Sequence, residues 1–473
     1  MTVRSDLMKA NVRFTSLRPE HFFLLASVAL WLVPWHLVDT SQNTRAVILA
    51  IVSAGLAAFG LRAFGNAADA SKPVGPFLIA GMLALFIVTN AADALTDFAP
   101  LPGRWVAVGA VFIVLCALTV IAAWLPIPQV VTYLLLGAAM VALIIVATNV
   151  PDTTYNDVAT FNRLGTHALI NGHNPYLPIY PDVYAGTRYS HLFYGPGVAL
   201  PNGTLAYGYP YPPMALLMQA PFAVVHLYHA AWAVWPALAA IVLASVMPRG
   251  RATYRLLPLL IVFAPFTTAM SFWTWIEPLV LALLVFTAVA GVKRHWSFPW
   301  LLGLTLVSKQ YFVICAPLLF LLLPLFREMG LRRCLVRMVA AAAIVTVPFA
   351  VVDTNAFWRA VVKLQTVQPY RADSLSLVVL LHNHYGWFST GLLGVLPLVL
   401  GGLVAIALAW KAPRTMAGFV ASVGLTLLVT VLFSKQAFGN YYALIDGCFL
   451  LAAILLHARP VQNLAAQSKA APR

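Results

Sequence analysis

Charged residues are scarce in this chain: Asp, Glu, Lys and Arg make up 9% of 473 positions, and only 14 residues are acidic. A soluble globule of that length needs far more polar surface to cover its core, so that class is excluded. Cysteine is scarce too, with four in all. Cys116, Cys315 and Cys448 fall in apolar stretches and Cys334 in a basic one, and CxxC and HExxH are both missing. A disulfide framework or a motif-built zinc site is therefore not expected. The first apolar run has no small-residue cleavage site before its polar flank, so it reads as a retained helix rather than a signal peptide. No inverted or parallel repeat of the kind that builds many secondary transporters is found.

What is present is hydrocarbon: 62% of residues are hydrophobic. Apolar runs long enough to cross about 30 Å of lipid recur along the whole length, separated by short polar or Pro/Gly-rich joints. They predict an all-α polytopic membrane protein of about fourteen crossings. The expected spans lie near 20–39, 45–62, 75–91, 105–125, 129–149, 229–247, 256–271, 275–292, 297–309, 311–326, 338–352, 391–410, 416–433 and 440–457.

Orientation follows from the basic residues, which gather in short cytoplasmic loops. Arg4, Lys9, Arg13 and Arg18 place the N-terminus inside. Alternation then puts Arg62, Lys72, Arg249, Arg251, Arg255, Lys293, Arg294, Arg327, Arg332, Arg333, Arg337, Lys411, Arg414, Arg459, Lys469 and Arg473 inside as well, with the C-terminus. These are twenty of the 29 basic residues. The net charge of +15 thus reads as topology and affinity for a lipid surface, and no nucleic-acid partner is expected. The organisation expected is an N-terminal four-helix membrane segment at 1–128, a second module at 129–457 that carries the long outer segments, and a cytoplasmic tail at 458–473.

Only two outer segments are long, 150–228 and 353–390, and function should gather there. The first opens on Pro151-Asp152, passes Asn156-Asp157, and continues with Val158, Phe161, Leu164, Ala168 and Leu169 at helical spacing, which predicts an interfacial helix. Asn171-Gly172 ends it, and His173-Asn174-Pro175-Tyr176 turns the chain. A Tyr/Pro/Gly-rich stretch follows to Tyr209-Pro210-Tyr211-Pro212-Pro213, then an apolar run to Val225. Were that run to cross, Arg249, Arg251 and Arg255 would fall outside, so it reads as a second interfacial helix. The second outer segment has Trp358, Val361, Val362 and Leu364 at amphipathic spacing, then Pro369-Tyr370-Arg371-Ala372-Asp373.

Several residues here carry chemistry of one kind. Asp157, with Asp152 near it, is placed to act as a base, or to cap the helix that it begins. Ser-Lys-Gln occurs twice, as Ser308-Lys309-Gln310 and Ser434-Lys435-Gln436, both at outer helix ends. Lys309 and Lys435 are candidates for holding a phosphate, or they snorkel. Arg371 offers a planar fork for phosphate oxygens or a partner for Asp373. Glu277 in Trp273-Thr274-Trp275-Ile276-Glu277-Pro278 and Asp446, two turns into the last span, are ionisable groups in spans, functional or paired, Asp446 with Lys435 as one option. The outer histidines, including His173, His226, His229, His382 and His384, have no spacing that matches a metal site, and no metal or cofactor is expected.

The run Asp157 … Gly172-His173-Asn174-Pro175-Tyr176 … Tyr211-Pro212-Pro213, followed by Lys309-Gln310 at an outer helix end, resembles the GT-C-fold glycosyltransferases. Within them it resembles the bacterial polyprenol-phosphate-dependent mannosyltransferase family, over roughly 129–457. The resemblance implies Asp157 as base, helices at 157–170 and 212–226 as the interfacial pair, and Lys309 as the basic residue at the tip of a short helix pair. It also implies a polyprenyl-phosphate sugar donor, a glycolipid or glycan acceptor, inversion by single displacement, and no nucleotide-sugar site. Four helices precede the one leading into the Asp loop, which departs from the family's usual order. Tyr176, Tyr209 and Tyr211 are expected to line the sugar site, with His173, Asn174, Gln310, Gln436 and Glu277 as further contacts. The competing classes are a lipid or solute transporter or flippase, and an envelope polysaccharide polymerase or ligase. A bacterial inner membrane is the expected home.

Overall fold

The computed structural model describes residues 18–33, 43–64, 156–248, 257–387 and 391–458, with a few isolated positions between 128 and 141. The expected spans at 75–91, 105–125 and 129–149 lie wholly or largely outside these residues, as does Asp152. Among the described residues the chain is helical, and its extended pairing is limited to the isolated bridges Pro181–Thr204 and Ala199–Leu205. Four helical segments among the described residues are long and apolar enough to cross a membrane: Thr44–Ala63, Gln310–Met329, Leu331–Val352 and Gly394–Lys411.

The centre is built from helices Met416–Leu432 and Gly439–Leu455, which are apolar on all sides and buried on nearly all of them. Helices Glu277–Val292 and Pro19–Trp31 pack against this pair, and Asn43–Ala63 packs on Pro19–Trp31. Helices Pro19–Trp31 and Asn43–Ala63 therefore share one continuous apolar core with the last two helices. Ser27 donates a hydrogen bond to Asp446 across that contact, satisfying a carboxyl group that hydrocarbon cannot. Lys435, the partner considered for Asp446, bonds elsewhere. Helices Leu331–Val352 and Leu392–Lys411 lie at the periphery, and Val339, Ile344, Val395 and Leu403 stay exposed there, as on a lipid-facing surface.

Several expected boundaries are corrected. The 256–271 span is broken into Leu259–Phe263 and Pro265–Phe272, because Pro265 has no N–H to continue the first helix. The 297–309 span is helical only over Phe298–Leu306, about 14 Å long at 1.5 Å per residue, too short to cross. Residues Gln310–Leu322 wind as a 3₁₀ helix that runs on into Leu323–Met329. The next helix starts at Leu331 rather than 338, directly after Gly330, whose φ of +93° makes the turn. Arg332, Arg333 and Arg337 are thus in its first turns.

Helix Phe298–Leu306 is held to its neighbours by close backbone approach. A Cβ on Gly303 would lie 2.2 Å from the Met338 carbonyl oxygen, and Thr305 shares a 2.8 Å hydrogen bond with Thr287. Gly303→Ala is expected to destabilise the fold by about 1–3 kcal/mol through overpacking. A lowered thermal unfolding midpoint in detergent would register it, and an unchanged midpoint would contradict this packing.

Candidate functional site

The two interfacial helices form close to their expected limits, as Asp157–Ile170 and Met214–Val224. Asn156 caps the first: its side-chain oxygen accepts from Ala159 N at 2.6 Å and from Trp275 Nε1 at 3.2 Å. Its amide nitrogen donates to the Trp273 carbonyl at 3.3 Å. One and a half turns on, fully buried Asn162 donates to the Thr274 carbonyl at 2.8 Å and accepts from the Tyr209 hydroxyl at 2.9 Å. Thr274 has a φ of +54°, a left-handed backbone that a β-branched residue rarely adopts. Two asparagines thus clasp the turn Trp273–Trp275 against the helix that begins with Asp157. Thr166 adds a 2.8 Å bond to Gln219 on the second helix.

Asp157 opens into a cavity of about 310 Å³ between the two long loops and the adjoining helix ends. Tyr184, Phe193, Tyr194, Tyr207 and Tyr211 line it from the first loop, and Gln365, Gln368 and Arg371 from the second. Trp273, Trp275, Gln436, Phe438, Asn440 and Tyr441 complete the wall. Its size is that of a small-molecule site, with aromatic faces and a few convergent polar groups.

Among the described residues, Arg371 and Asp157 are the one basic and the one acidic side chain of the lining. The guanidinium is buried and pairs with Asp373 through two bonds, Nε to Oδ1 at 2.7 Å and Nη2 to Oδ2 at 2.6 Å. It is also sandwiched between the rings of Phe193 and Phe438, at 3.8 and 4.6 Å from their centroids. Pairing with Asp373 and facing the cavity, two alternatives in the sequence, are thus combined in one side chain. Asp373 and the rings fix its plane.

Burial pushes the Asp157 carboxyl above the usual carboxylate range. The Val158 N–H, which it accepts at 2.9 Å, the Arg371 charge and the Tyr184 hydroxyl each favour its charged form, but together they do not cancel the desolvation. Burial, with the Asp157 charge, pushes Tyr184 and Tyr194 up in turn, so both remain neutral hydroxyls. The Tyr194 hydroxyl is buried with no hydrogen-bond partner among the described residues.

The remaining expected site residues are placed differently. Lys309 is buried behind the wall, ion-paired to buried Glu277 and ringed by Tyr211, Tyr311 and Tyr441 at 5.6, 5.0 and 5.4 Å from their centroids. Asn440 also donates to Glu277, at 2.9 Å. This pair braces the cavity wall through Tyr211, Asn440 and Tyr441 and does not line it. Lys435 donates to the carbonyls of Thr366 and Gln368, at 3.2 and 2.6 Å, closing the end of helix Leu364–Val367. Burial lowers its pKa. The glutamines of the two Ser-Lys-Gln tripeptides act alike: Gln310 donates to the Pro210 carbonyl and Gln436 to the Pro369 carbonyl, each at 2.9 Å. Each tripeptide thus fastens an outer-loop carbonyl, and only Gln436 also reaches the cavity.

Tyr176 and Tyr209 are corrected from site-lining to core. Both are fully buried in a small aromatic core shared by the two loops, with Phe161, Tyr180, Val361 and Leu364. Tyr211 does line the cavity. Asn174 closes a local turn by accepting from Tyr176 N at 2.9 Å, and His173 is exposed outside the site. Of the residues at amphipathic spacing in the second loop, Val361 and Leu364 are buried and Trp358 is exposed, with a π-turn over Arg359–Lys363 between Trp358 and Leu364. Among the described residues no three His, Cys, Asp or Glu side chains gather as metal ligands.

Sequence reasoning did not single out Asn156, Asn162, Tyr184 or Asn440. The Asn-Asp pair at a helix start was a visible signal for the first, since Asn is a preferred N-cap. The others depend on contacts 27 to 163 residues away in sequence, from Tyr184 with Asp157 to Asn440 with Glu277. No family model matches this chain, and no curated protein or solved structure matches it.

Asn162→Ala would leave the Tyr209 hydroxyl and the Thr274 carbonyl without their buried partner. A loss of about 1–3 kcal/mol is expected, together with a shift in tryptophan emission as Trp273 and Trp275 loosen. Stability and emission equal to wild type would show that the clasp is not needed.

Proposed function

We propose that this protein is a membrane glycosyltransferase that moves a sugar from a polyprenyl-phosphate donor to a glycolipid or glycan acceptor on the extracytoplasmic face. The observation that carries this reading is the meeting of Asp157 and Arg371, from separate long loops, in one aromatic cavity of about 310 Å³. A base and a fixed cation are the two charges that such a transfer needs. The apolar helices around them suit a donor whose tail stays in lipid.

In this mechanism the acceptor hydroxyl oxygen attacks the anomeric carbon and the bond from that carbon to the phosphate oxygen breaks. Configuration inverts, and the polyprenyl phosphate leaves with the bonding electrons. Asp157 takes the hydroxyl proton. Its raised pKa strengthens its deprotonated form as a base. Arg371, with Nε and Nη2 held by Asp373, has Nη1 to offer to a phosphate oxygen. Trp273, Trp275 and Tyr441 supply faces for a sugar ring. Lys309, held by Glu277, has a supporting role here, and Arg371 takes the phosphate role first considered for the lysines.

The test is transfer of labelled sugar from polyprenyl-phosphate donors by purified protein in lipid. Asp157→Asn is expected to lower the rate about 100- to 10,000-fold, the usual worth of a general base, with insertion and unfolding temperature unchanged. Undiminished transfer would remove Asp157 from the mechanism.

The pH profile gives a separate check. A base acts only when deprotonated, so a raised pKa moves the acid limb of kcat/KM up from the ordinary carboxylate value of about 4. Activity falls as pH drops through that limb. Arg371→Gln removes a charge that holds the pKa down, so its residual activity should show a limb at still higher pH. A limb that stays in place would uncouple the two residues.

A further inference from the structure

Away from the cavity, at the opposite end of helix Glu277–Val292, a shallow concavity is lined by Arg327, Arg332, Arg333 and Arg337 around the turn at Gly330. Its one acidic residue, Glu328, is already paired with Arg294. Like charges so close repel, and among the described residues the side-chain hydrogen bond from this group is a long one, from Arg337 to the Trp296 carbonyl at 3.5 Å. The arrangement has an unmet need for an anion.

What the anion is follows from where the arginines stand. Arg332, Arg333 and Arg337 occupy the first turns of helix Leu331–Val352, with Arg327 at the end of the helix before it; among the described residues Leu331–Val352 is the least buried of the helices long and apolar enough to cross a membrane. Along that helix Val336, Ile344, Val347 and Val351 follow one another on one exposed face, at one- and two-turn spacing. Trp296, also exposed, stands beside the concavity, a residue type favoured at headgroup level. A ligand that suits both parts carries a phosphate for the guanidinium forks and acyl chains for the valine-rich face.

We propose that this concavity is a binding site for the headgroup phosphate of an anionic phospholipid, with the lipid's chains lying along Leu331–Val352. It is independent of the transfer reaction. Planar guanidiniums suit it better than lysines, because each can hold two phosphate oxygens at once.

The test uses the full chain in detergent, titrated with phosphatidylglycerol or phosphatidylcholine, with bound lipid counted by native mass spectrometry. Phosphatidylglycerol should be retained in preference. Arg333→Gln with Arg337→Gln should weaken it roughly 30-fold, at about 5-fold per arginine. Lys411→Gln with Arg414→Gln, which removes equal charge elsewhere, should leave it unchanged. Exposed Arg332→Gln, the mildest change to the fold, should weaken it about 5-fold. Equal retention of the two lipids, equal loss in the two double variants, or displacement of the lipid by inorganic phosphate alone would each overturn the proposal.

Discussion

A polar side chain that sits among apolar helices must find its partner within the protein, because neither lipid nor a dry core supplies one. In a chain with so few charges, the places where such partners meet decide where the chain can be ordered and polar at once. The densest meeting point joins the two long loops to the helix ends. Asn162 meets Thr274 and Tyr209, Glu277 meets Lys309 and Asn440, and Gln310 and Gln436 meet Pro210 and Pro369. Each joins segments distant in sequence, so the cavity wall is assembled by long-range polar contacts against an otherwise apolar bundle.

The same constraint explains the chemistry of the wall. The Lys309–Glu277 pair is costly to bury, and it is surrounded by aromatic rings and a third polar partner that offset part of that cost. Removing either partner alone would strand a charge, so the pair serves to hold Tyr211, Asn440 and Tyr441 in register. Arg371 is treated similarly, with one carboxylate and two rings fixing its plane. Asp157 is left with less compensation, and its raised pKa is the mark of that imbalance. At the cavity wall the neighbouring ionic groups are paired and one carboxyl is left under-compensated, which is the group that the proposed transfer reaction would use.

The two ends of the bundle differ in how they handle charge. At the cavity end, cations are buried, paired and held against aromatic rings. At the other end, arginines stand exposed on a helix that faces outward, with one acid near them already engaged. The first arrangement builds a site with a fixed shape, and the second leaves charge available to the surrounding lipid.

Much of this was legible in the sequence because hydropathy and helix capping are local. The apolar runs marked Asn43–Ala63, Leu392–Lys411, Met416–Leu432 and Gly439–Leu455. The amphipathic spacing after Asn156 and the charge argument against a crossing at 212–226 marked the two short helices beside the cavity, and Asp157 stood out as the acid at a helix start. Partner choice was not legible, because it depends on which ends the packed helices bring together. Lys309 could have faced a ligand, yet the start of helix Glu277–Val292 delivers a carboxylate to it. Tyr176 and Tyr209 could have lined a sugar site, yet the second loop covers them with Val361 and Leu364. Composition and periodicity thus determined a helical chain for lipid with its polar residues in two loops, since those properties act within a few turns. Only the tertiary structure decided which of those residues face the cavity, because burial and pairing belong to contacts that no local pattern encodes.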